Sequence, residues 1–507
     1  MPHRYIKEIL AARVYDVAIE TPIDPAPQSS RRYNNNILLK REDLQPVFSF
    51  KIRGAYNKMI HLSEAELARG VVTASAGNHA QGVAMAATKL GVKATIVMPK
   101  TTPQIKVDGV RNRGAKIILH GDTYDEAAVY AQQLVEKKGL VYVHPYDDPH
   151  VIAGQGTIGM EILRQISGPL DAVFVPVGGG GLLAGVSAYI KYVRPEVKVI
   201  AVEPEDAACL KAAIDKGRRV TLPQVGIFAD GVAVATIGKE TFRVIRETTD
   251  DFVTVNTDEI CAAIKDIFDD TRSIAEPAGA LALAGLKKYV AEHGLEGKTL
   301  VAIDSGANTN FDRLRYISER TEIGEKREAI FSCIIPERPG SFKKFCSVLG
   351  KRSITEFNYR YADSRQARIF VGVQVTADSS DRQELIADLE AKQYPVVDLS
   401  DNEMARLHIR HMVGGHAPAE IQQELLYRFE FPERPGALLQ FLSQLGHKWN
   451  ISMFHYRNHG SAFGRVLLGV QASKQERGAL KASFDELQYS YIEETDNPAY
   501  QMFLGGA

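Results

Sequence analysis

The stretch Ala172-Val173-Phe174-Val175-Pro176-Val177-Gly178-Gly179-Gly180-Gly181-Leu182-Leu183-Ala184-Gly185-Val186-Ser187-Ala188-Tyr189-Ile190 carries no charge over 19 residues. Its length approaches that of a membrane-spanning helix. Pro176 and four successive glycines, however, would leave backbone groups unsatisfied in lipid. The better reading is a buried strand over 172–177, a glycine turn over 178–181 and a helix over 182–190. Four glycines let successive N–H groups converge on an anion at the helix N-terminus. That arrangement belongs to an α/β fold.

Outward from this stretch, β-branched runs at 71–74, 94–98, 115–120, 197–202 and 299–303 alternate with helical stretches such as 78–90 and 123–138. The alternation predicts a mostly parallel sheet covered by helices on both faces. The glycine turn by itself leaves two ligands open. Gly179, Gly181 and Ala184 fit G-x-G-x-x-A, and Glu203 follows Gly181 by 22 residues, as a dinucleotide site requires.

A second segment, Ser49-Phe50-Lys51-Ile52-Arg53-Gly54-Ala55, sets a lysine between two apolar side chains. A lone lysine is ordinarily a solvated surface charge. Desolvation would lower this ammonium's pKa towards the neutral amine that can form a Schiff base. In Ser75-Ala76-Gly77-Asn78-His79, Ser75 is a candidate N-cap, and the helix-start N–H groups could receive a carboxylate. His79 reads as a wall residue rather than an acid. The loop His144-Pro145-Tyr146-Asp147-Asp148-Pro149-His150 has side chains that could hold a metal. A proline-rich acidic connection is the commoner explanation, and no metal ligands are assigned.

At 507 residues the chain should hold three or four domains, and 45% hydrophobic content suffices for several cores. Lys and Arg total 61 against 62 Asp and Glu, so no net field draws nucleic acid or an acidic membrane. A small-molecule partner is expected. Cysteines at 209, 261, 333 and 346 show no paired spacing, as in a reducing cytoplasm, and read as buried small hydrophobes. Residues 1–14 read as a surface helix without the apolar core of a secretory signal.

Beyond a polar, charge-rich connector, Arg313 to Arg327, the pattern changes. Ile335-Pro336-Glu337-Arg338-Pro339-Gly340-Ser341-Phe342 recurs as Phe431-Pro432-Glu433-Arg434-Pro435-Gly436-Ala437-Leu438, 96 residues later. Phe357-Asn358-Tyr359-Arg360 matches Phe454-His455-Tyr456-Arg457, and Gly372-Val373-Gln374 matches Gly469-Val470-Gln471, both at an offset of 97. This is an internal duplication with a one-residue slip. Each copy reads strand, Pro-Gly turn, helix, two strands, helix, strand, a ferredoxin-like α+β unit.

Lys40-Arg41-Glu42-Asp43-Leu44-Gln45-Pro46, residues 49–59, Ser75-Ala76-Gly77-Asn78-His79-Ala80-Gln81-Gly82 and Gly154-Gln155-Gly156-Thr157 together resemble the fold-type II pyridoxal phosphate enzymes, specifically the threonine and serine dehydratases. The resemblance covers about the first 320 residues, and the repeats resemble the ACT-like regulatory domains of biosynthetic threonine dehydratases. It implies a catalytic domain over 1–320 with a small subdomain near 50–150, a connector at 321–328, and ACT-like domains over 329–412 and 425–507.

The resemblance further implies pyridoxal 5'-phosphate as cofactor. Lys51 would carry it as a Schiff base and then remove the substrate's Cα proton. Phe50 would flank it, Asn78 would meet its ring hydroxyl, and Gly178, Gly179, Gly180 and Gly181 would hold its phosphate. Ser305, in Asp304-Ser305-Gly306-Ala307-Asn308, would face the ring nitrogen. A hydroxyl there leaves the ring a weaker electron sink than a carboxylate would, which suits expulsion of a β-hydroxyl. Ser75, Ala76, Gly77, Asn78 and His79 would bind the substrate carboxylate.

The implied reaction is β-elimination from L-threonine to 2-oxobutanoate and ammonia, the first step towards isoleucine. Isoleucine would inhibit, valine would oppose it, and the assembly would be a cytoplasmic homotetramer. A serine dehydratase or a related fold-type II lyase is the alternative, since one methyl separates threonine from serine. Some relatives bind a divalent cation beside a glutamate like Glu203, but Cys209 stands here at their later acidic position. An amino-acid sensor without catalysis is a further reading, opposed by the complete set of chemically apt residues.

Overall fold

Runs rich in valine and isoleucine pair here as strands of two parallel sheets. The computed structural model describes residues 3–102, 104–311, 313–324, 328–350, 352–361, 365–376, 379–402, 405, 409–411, 423–432, 437–445, 449–457, 463–473, 475–487 and 489–504. Two compact units divide the chain, Met1–Gly324 and Glu325–Ala507.

The first unit contains β1 (Ile23–Pro25), β2 (Asn36–Arg41), β3 (Val71–Ala74), β4 (Ala94–Met98), β5 (Lys116–Leu119), β6 (Val141–Tyr142), β7 (Ala172–Pro176), β8 (Lys198–Pro204), β9 (Asp251–Val255) and β10 (Thr299–Asp304). The larger sheet has the order β1-β2-β10-β7-β8-β9, and only the β1–β2 pair is antiparallel. A smaller parallel sheet has the order β5-β4-β3-β6. Every residue of β7 is buried, which explains its uninterrupted apolar run. The stretch that could be mistaken for a membrane span is β7, the glycine turn and the helix Gly181–Val193.

Close contacts through glycine place the helix Lys51–Ile60. It packs on the helices Asn78–Leu90 and Pro149–Gln165. A Cβ on Gly154 would lie 2.8 Å from the Arg53 carbonyl oxygen and from the Gly54 Cα, so neither helix tolerates a larger residue there. Beneath this crossing lies a fully buried ionic cluster. Arg53 pairs with Glu42 at 2.7 Å and with Glu161 at 2.5 Å, and Lys40 pairs with Glu161 at 2.7 Å. Thr21 donates to Glu42, and the Tyr15 hydroxyl donates to Glu161. Burial opposes ionisation of Glu42, yet the Arg53 guanidinium holds its carboxyl below the usual range.

Two findings differ from expectation. The stretch at 313–324, read as connector because of its charges, is a helix, Arg313–Gly324, packed against the helix Thr257–Thr271. Thr321 donates to the Cys261 carbonyl, so residues 321–324 continue the first unit, while Glu328 already opens a strand. Apolar faces among the charges explain the helix. Ser75 is not the N-cap: the helix Asn78–Leu90 begins after Gly77, whose own N–H is taken by the Ser75 hydroxyl at 3.3 Å.

The second unit contains β11 (Glu328–Pro336), β12 (Ile354–Arg360), β13 (Gln366–Gln374), β14 (Val396–Asp398), β15 (Glu424–Pro432), β16 (Asn450–Arg457), β17 (Phe463–Gln471) and β18 (Ser490–Glu493). With the helices Ser341–Leu349, Ser379–Ala391, Ala437–Leu445 and Arg477–Glu486, each copy shows the strand, helix, strand, strand, helix, strand order. The register of β11 on β13 repeats in β15 on β17, and irregularities at Ile354/Glu356 and Ile451/Met453 correspond. The helices are offset by 96, whereas the register irregularities and the ends of the next strands are offset by 97, so the slip lies between the helix and the body of the second strand. The pairing of β12 with β16 joins both copies in one eight-stranded sheet. The Pro339-Gly340 turn precedes its helix with Gly340 at φ +87°; Pro435-Gly436 lies outside the described residues.

Arg53→Met would leave the buried Glu42 and Glu161 carboxylates without their shared cation. The full chain should lose about 3–5 kcal/mol of stability, read as a lower urea midpoint for its first unit. An unchanged midpoint would show that the cluster contributes nothing to this packing.

Candidate active site

The carboxyl ends of β3, β7 and β10 carry the turns that converge on one pocket, as open parallel sheets favour. Phe50, Lys51, Asn78, Gly178, Gly179, Gly180, Gly181 and Ser305 all line it. So do Pro145, Tyr146 and Glu276. Ser75, Ala76 and Gly77 form the half-buried turn ahead of Asn78 and are outside the lining, as is His79.

Lys51 is the first residue of its helix, and its entry is tied to the far side of the pocket. Phe50 N–H donates to the Ser305 carbonyl, and Ala307 N–H donates to the Phe48 carbonyl. Desolvation lowers the Lys51 ammonium pKa, with the Glu276 carboxylate opposing. The amine is thereby moved towards the neutral, nucleophilic form.

The glycine turn is held from behind. The Gly179 carbonyl accepts from Gly238 N–H and from the Thr241 hydroxyl at 2.8 Å. A Cβ on Gly179 would run into the Tyr146 ring, and Gly180 has φ +90°, in the left-handed region. Among the described residues, the N–H groups of Gly178, Gly179 and Gly180 have no protein acceptor. Such a cradle at a helix N-terminus suits a phosphate.

Asn78 is held from two sides. Its Nδ2 donates to Glu276 Oε1 at 2.5 Å, and Asn308 Nδ2 donates to its Oδ1 at 2.7 Å. Ser305 is buried, its hydroxyl 3.1 Å from the Ala278 carbonyl. Buried His79 donates from Nε2 to the Val143 carbonyl at 3.0 Å, and burial pushes its pKa down to about 3. It is a neutral structural group, in keeping with its reading as wall.

The rival sequence readings meet specific obstacles. Glu203 accepts from the N–H groups of Leu210 and Lys211 and is pushed up to about 7 by burial, so its oxygens are engaged. In the loop at 144–150, His144 Nδ1 accepts from two backbone N–H groups and Asp147 accepts from three at the helix Lys239–Thr248. Asp148 caps the helix Pro149–Gln165, and His150 stacks on His61. The four cysteines are buried and free.

Glu276, Asn308 and Tyr146 escaped a functional reading from sequence. Glu276 precedes Pro277 at a helix start, which resembles an ordinary cap. Asn308 stands inside the Ser305 motif, and Tyr146 inside the loop weighed for metal.

The set fits pyridoxal phosphate: unpaired N–H groups for its phosphate, an amine for its carbonyl, and an amide and a hydroxyl for its ring. The family of pyridoxal-phosphate dependent enzymes matches residues 14–306. The C-terminal regulatory domain of threonine dehydratase matches twice, at 319–409 and 415–504. The biosynthetic L-threonine dehydratase of Burkholderia multivorans is 55% identical over 99% of each chain. The processed form of threonine deaminase isoform 2 from Solanum lycopersicum is 52% identical, with a TM-score of 0.62 over 63% of this chain and 93% of that one. A threonine deaminase from T.th. is 38% identical, with a TM-score of 0.57 over 60% of this chain and 99% of that one. Alike over its whole length to such enzymes, and carrying a pocket shaped for their cofactor, the chain belongs to the biosynthetic threonine dehydratase family of pyridoxal phosphate-dependent enzymes.

Proposed function

We propose that this chain deaminates L-threonine to 2-oxobutanoate and ammonia by β-elimination. The observation that carries the reading is one pocket holding a desolvated lysine, an unpaired glycine cradle and a buried serine hydroxyl. When bound, pyridoxal phosphate supplies a carbonyl for the substrate amine and a sink for the electrons left at Cα. Lys51 Nζ would anchor the cofactor and then take the substrate's Cα proton. The N–H groups of Gly178, Gly179, Gly180 and Gly181 would hold the phosphate, and Asn78 would meet the ring oxygen. The Ser305 hydroxyl would face the ring nitrogen without imposing a full positive charge there. Ser75, Ala76, Gly77, Asn78 and His79 supply the turn and helix start for the substrate carboxylate.

Lys51→Ala should abolish turnover and the visible band of bound cofactor, because no second amine can take both roles. Activity retained at about a tenth of wild type, a loss of only about 1.4 kcal/mol, would remove Lys51 from the mechanism.

The duplicated unit is assigned to control. Isoleucine is the inhibitor we infer, and valine its antagonist, bound at the Pro339-Gly340 turn that leads from β11 into the helix Ser341–Leu349 or at its counterpart in the second copy. An effector acts only through different affinity for active and inactive states. A chain ending at Gly324 corresponds to the first compact unit, and the T.th. enzyme aligns over nearly all its length with 60% of this chain. That shortened chain should deaminate threonine and ignore isoleucine. Persistent inhibition in a folded, cofactor-loaded sample would move the effector site to the first unit. We also infer a cytoplasmic homotetramer, which sedimentation of the full chain would check.

A further inference from the structure

Glu276 is placed by backbone, not by capping. Its N–H donates to the Gly306 carbonyl, and it precedes the helix Pro277–His293 without a side-chain capping bond. The carboxylate is therefore free to turn into the pocket, where Oε1 meets Asn78 Nδ2.

The direction of the two amides follows from a fixed end. Asn308 Nδ2 donates to the Val47 main-chain carbonyl at 2.8 Å, and a carbonyl can only accept. Its second Nδ2 hydrogen goes to Asn78 Oδ1, so Asn78 must present its Nδ2 to Glu276. One Nδ2 hydrogen of Asn78 is thereby consumed, and the other remains as a donor. Glu276 terminates the chain of bonds and prevents the amide from turning its oxygen inward.

We propose, given Asn78 at the cofactor's ring oxygen as above, that Glu276 is a positioning residue which locks the Asn78 amide as a donor to that oxygen. A donor favours the ionised ring oxygen over the hydroxyl. The groups facing Glu276 are Lys51 on the helix Lys51–Ile60, Lys106 on the helix Gln104–Arg111, Asp230 in the turn at 230–232, and Asp304 on β10. Burial, then Asp230, push the Glu276 carboxyl up to about 7, while Asn78, Lys106 and Lys51 pull it down. Lys106 forms an ion pair with Asp230, which tempers the repulsion. The lock is thus strongest above that value, where Glu276 can only accept.

The test uses the full-length holoenzyme with Glu276→Ala, Glu276→Gln, Asn78→Ala and the Glu276→Ala/Asn78→Ala pair. Absorption of bound cofactor is followed across about pH 6 to 9, and cofactor affinity is measured by equilibrium dialysis. Glu276→Ala and Asn78→Ala should each shift the band towards the protonated ring form and weaken cofactor binding by about tenfold. The double variant should be no worse than either single one, because both remove the same lock. Glu276→Gln keeps an acceptor of the same shape, so it should restore the wild-type band and lose its pH dependence. A wild-type band and affinity in Glu276→Ala, with both altered in Asn78→Ala, would overturn the role of Glu276 alone. Additive losses in the double variant would overturn it too. A wild-type band in Asn78→Ala would instead overturn the placement of Asn78 at the ring.

Discussion

Arg53 forks between Glu42 and Glu161 in the buried interior, with Lys40 completing the charge balance, and the catalytic geometry hangs on that cluster. Two cations and two carboxylates come from the end of β2, the turn after it, and two helices that cross at glycine. Such a group is stable only when complete, since desolvating any member without its partner is costly. Lys51 sits two residues before Arg53 on the same helix, so fixing the guanidinium fixes the turn from which the lysine reaches the pocket. A hydrophobic contact in that place would stabilise the crossing without dictating its rotation.

Around this anchor the pocket assembles neutral or poised groups rather than strong charges. Lys51 is moved towards its amine, Glu276 is pushed up to about 7, and His79, outside the lining, is held neutral by burial. Each is perturbed by the same cause, removal of water. The site therefore depends on the closeness of its walls as much as on the residues named in its chemistry. Tyr146 over Gly179 belongs to those walls, packed so that only hydrogen fits between ring and backbone.

Much of this was legible in the order of residues, where local chemistry decides the outcome. Strand, glycine turn and helix at 172–190 followed from an uncharged run that lipid would reject, and the duplication followed from direct repetition. What escaped was non-local. Glu276 looks like a cap beside Pro277, and only the return of Gly306 and Asn78 from other elements shows its use. Ser75 obeys the composition rule for a cap, but Gly77 takes that position. Charges at 313–324 suggested a link, although apolar residues between them bury one face of a helix. Nor does repetition reveal that β12 and β16 pair with each other, because either could have served as an outer strand.

That pairing makes each copy depend on the other. Glu356 to Arg360 lies opposite Met453 to Arg457, so the seam runs through the middle of an eight-stranded sheet. Aromatic rings of both copies, Phe342 and Phe357 against Phe454, meet in one core across it. Removing one copy would bare the β12 or β16 edge together with the apolar side chains packed across the seam, and exposed edges of this kind recruit stray strands. Within this chain each copy instead covers the strand edge of the other, so the hazard is closed by the pairing of β12 with β16 itself.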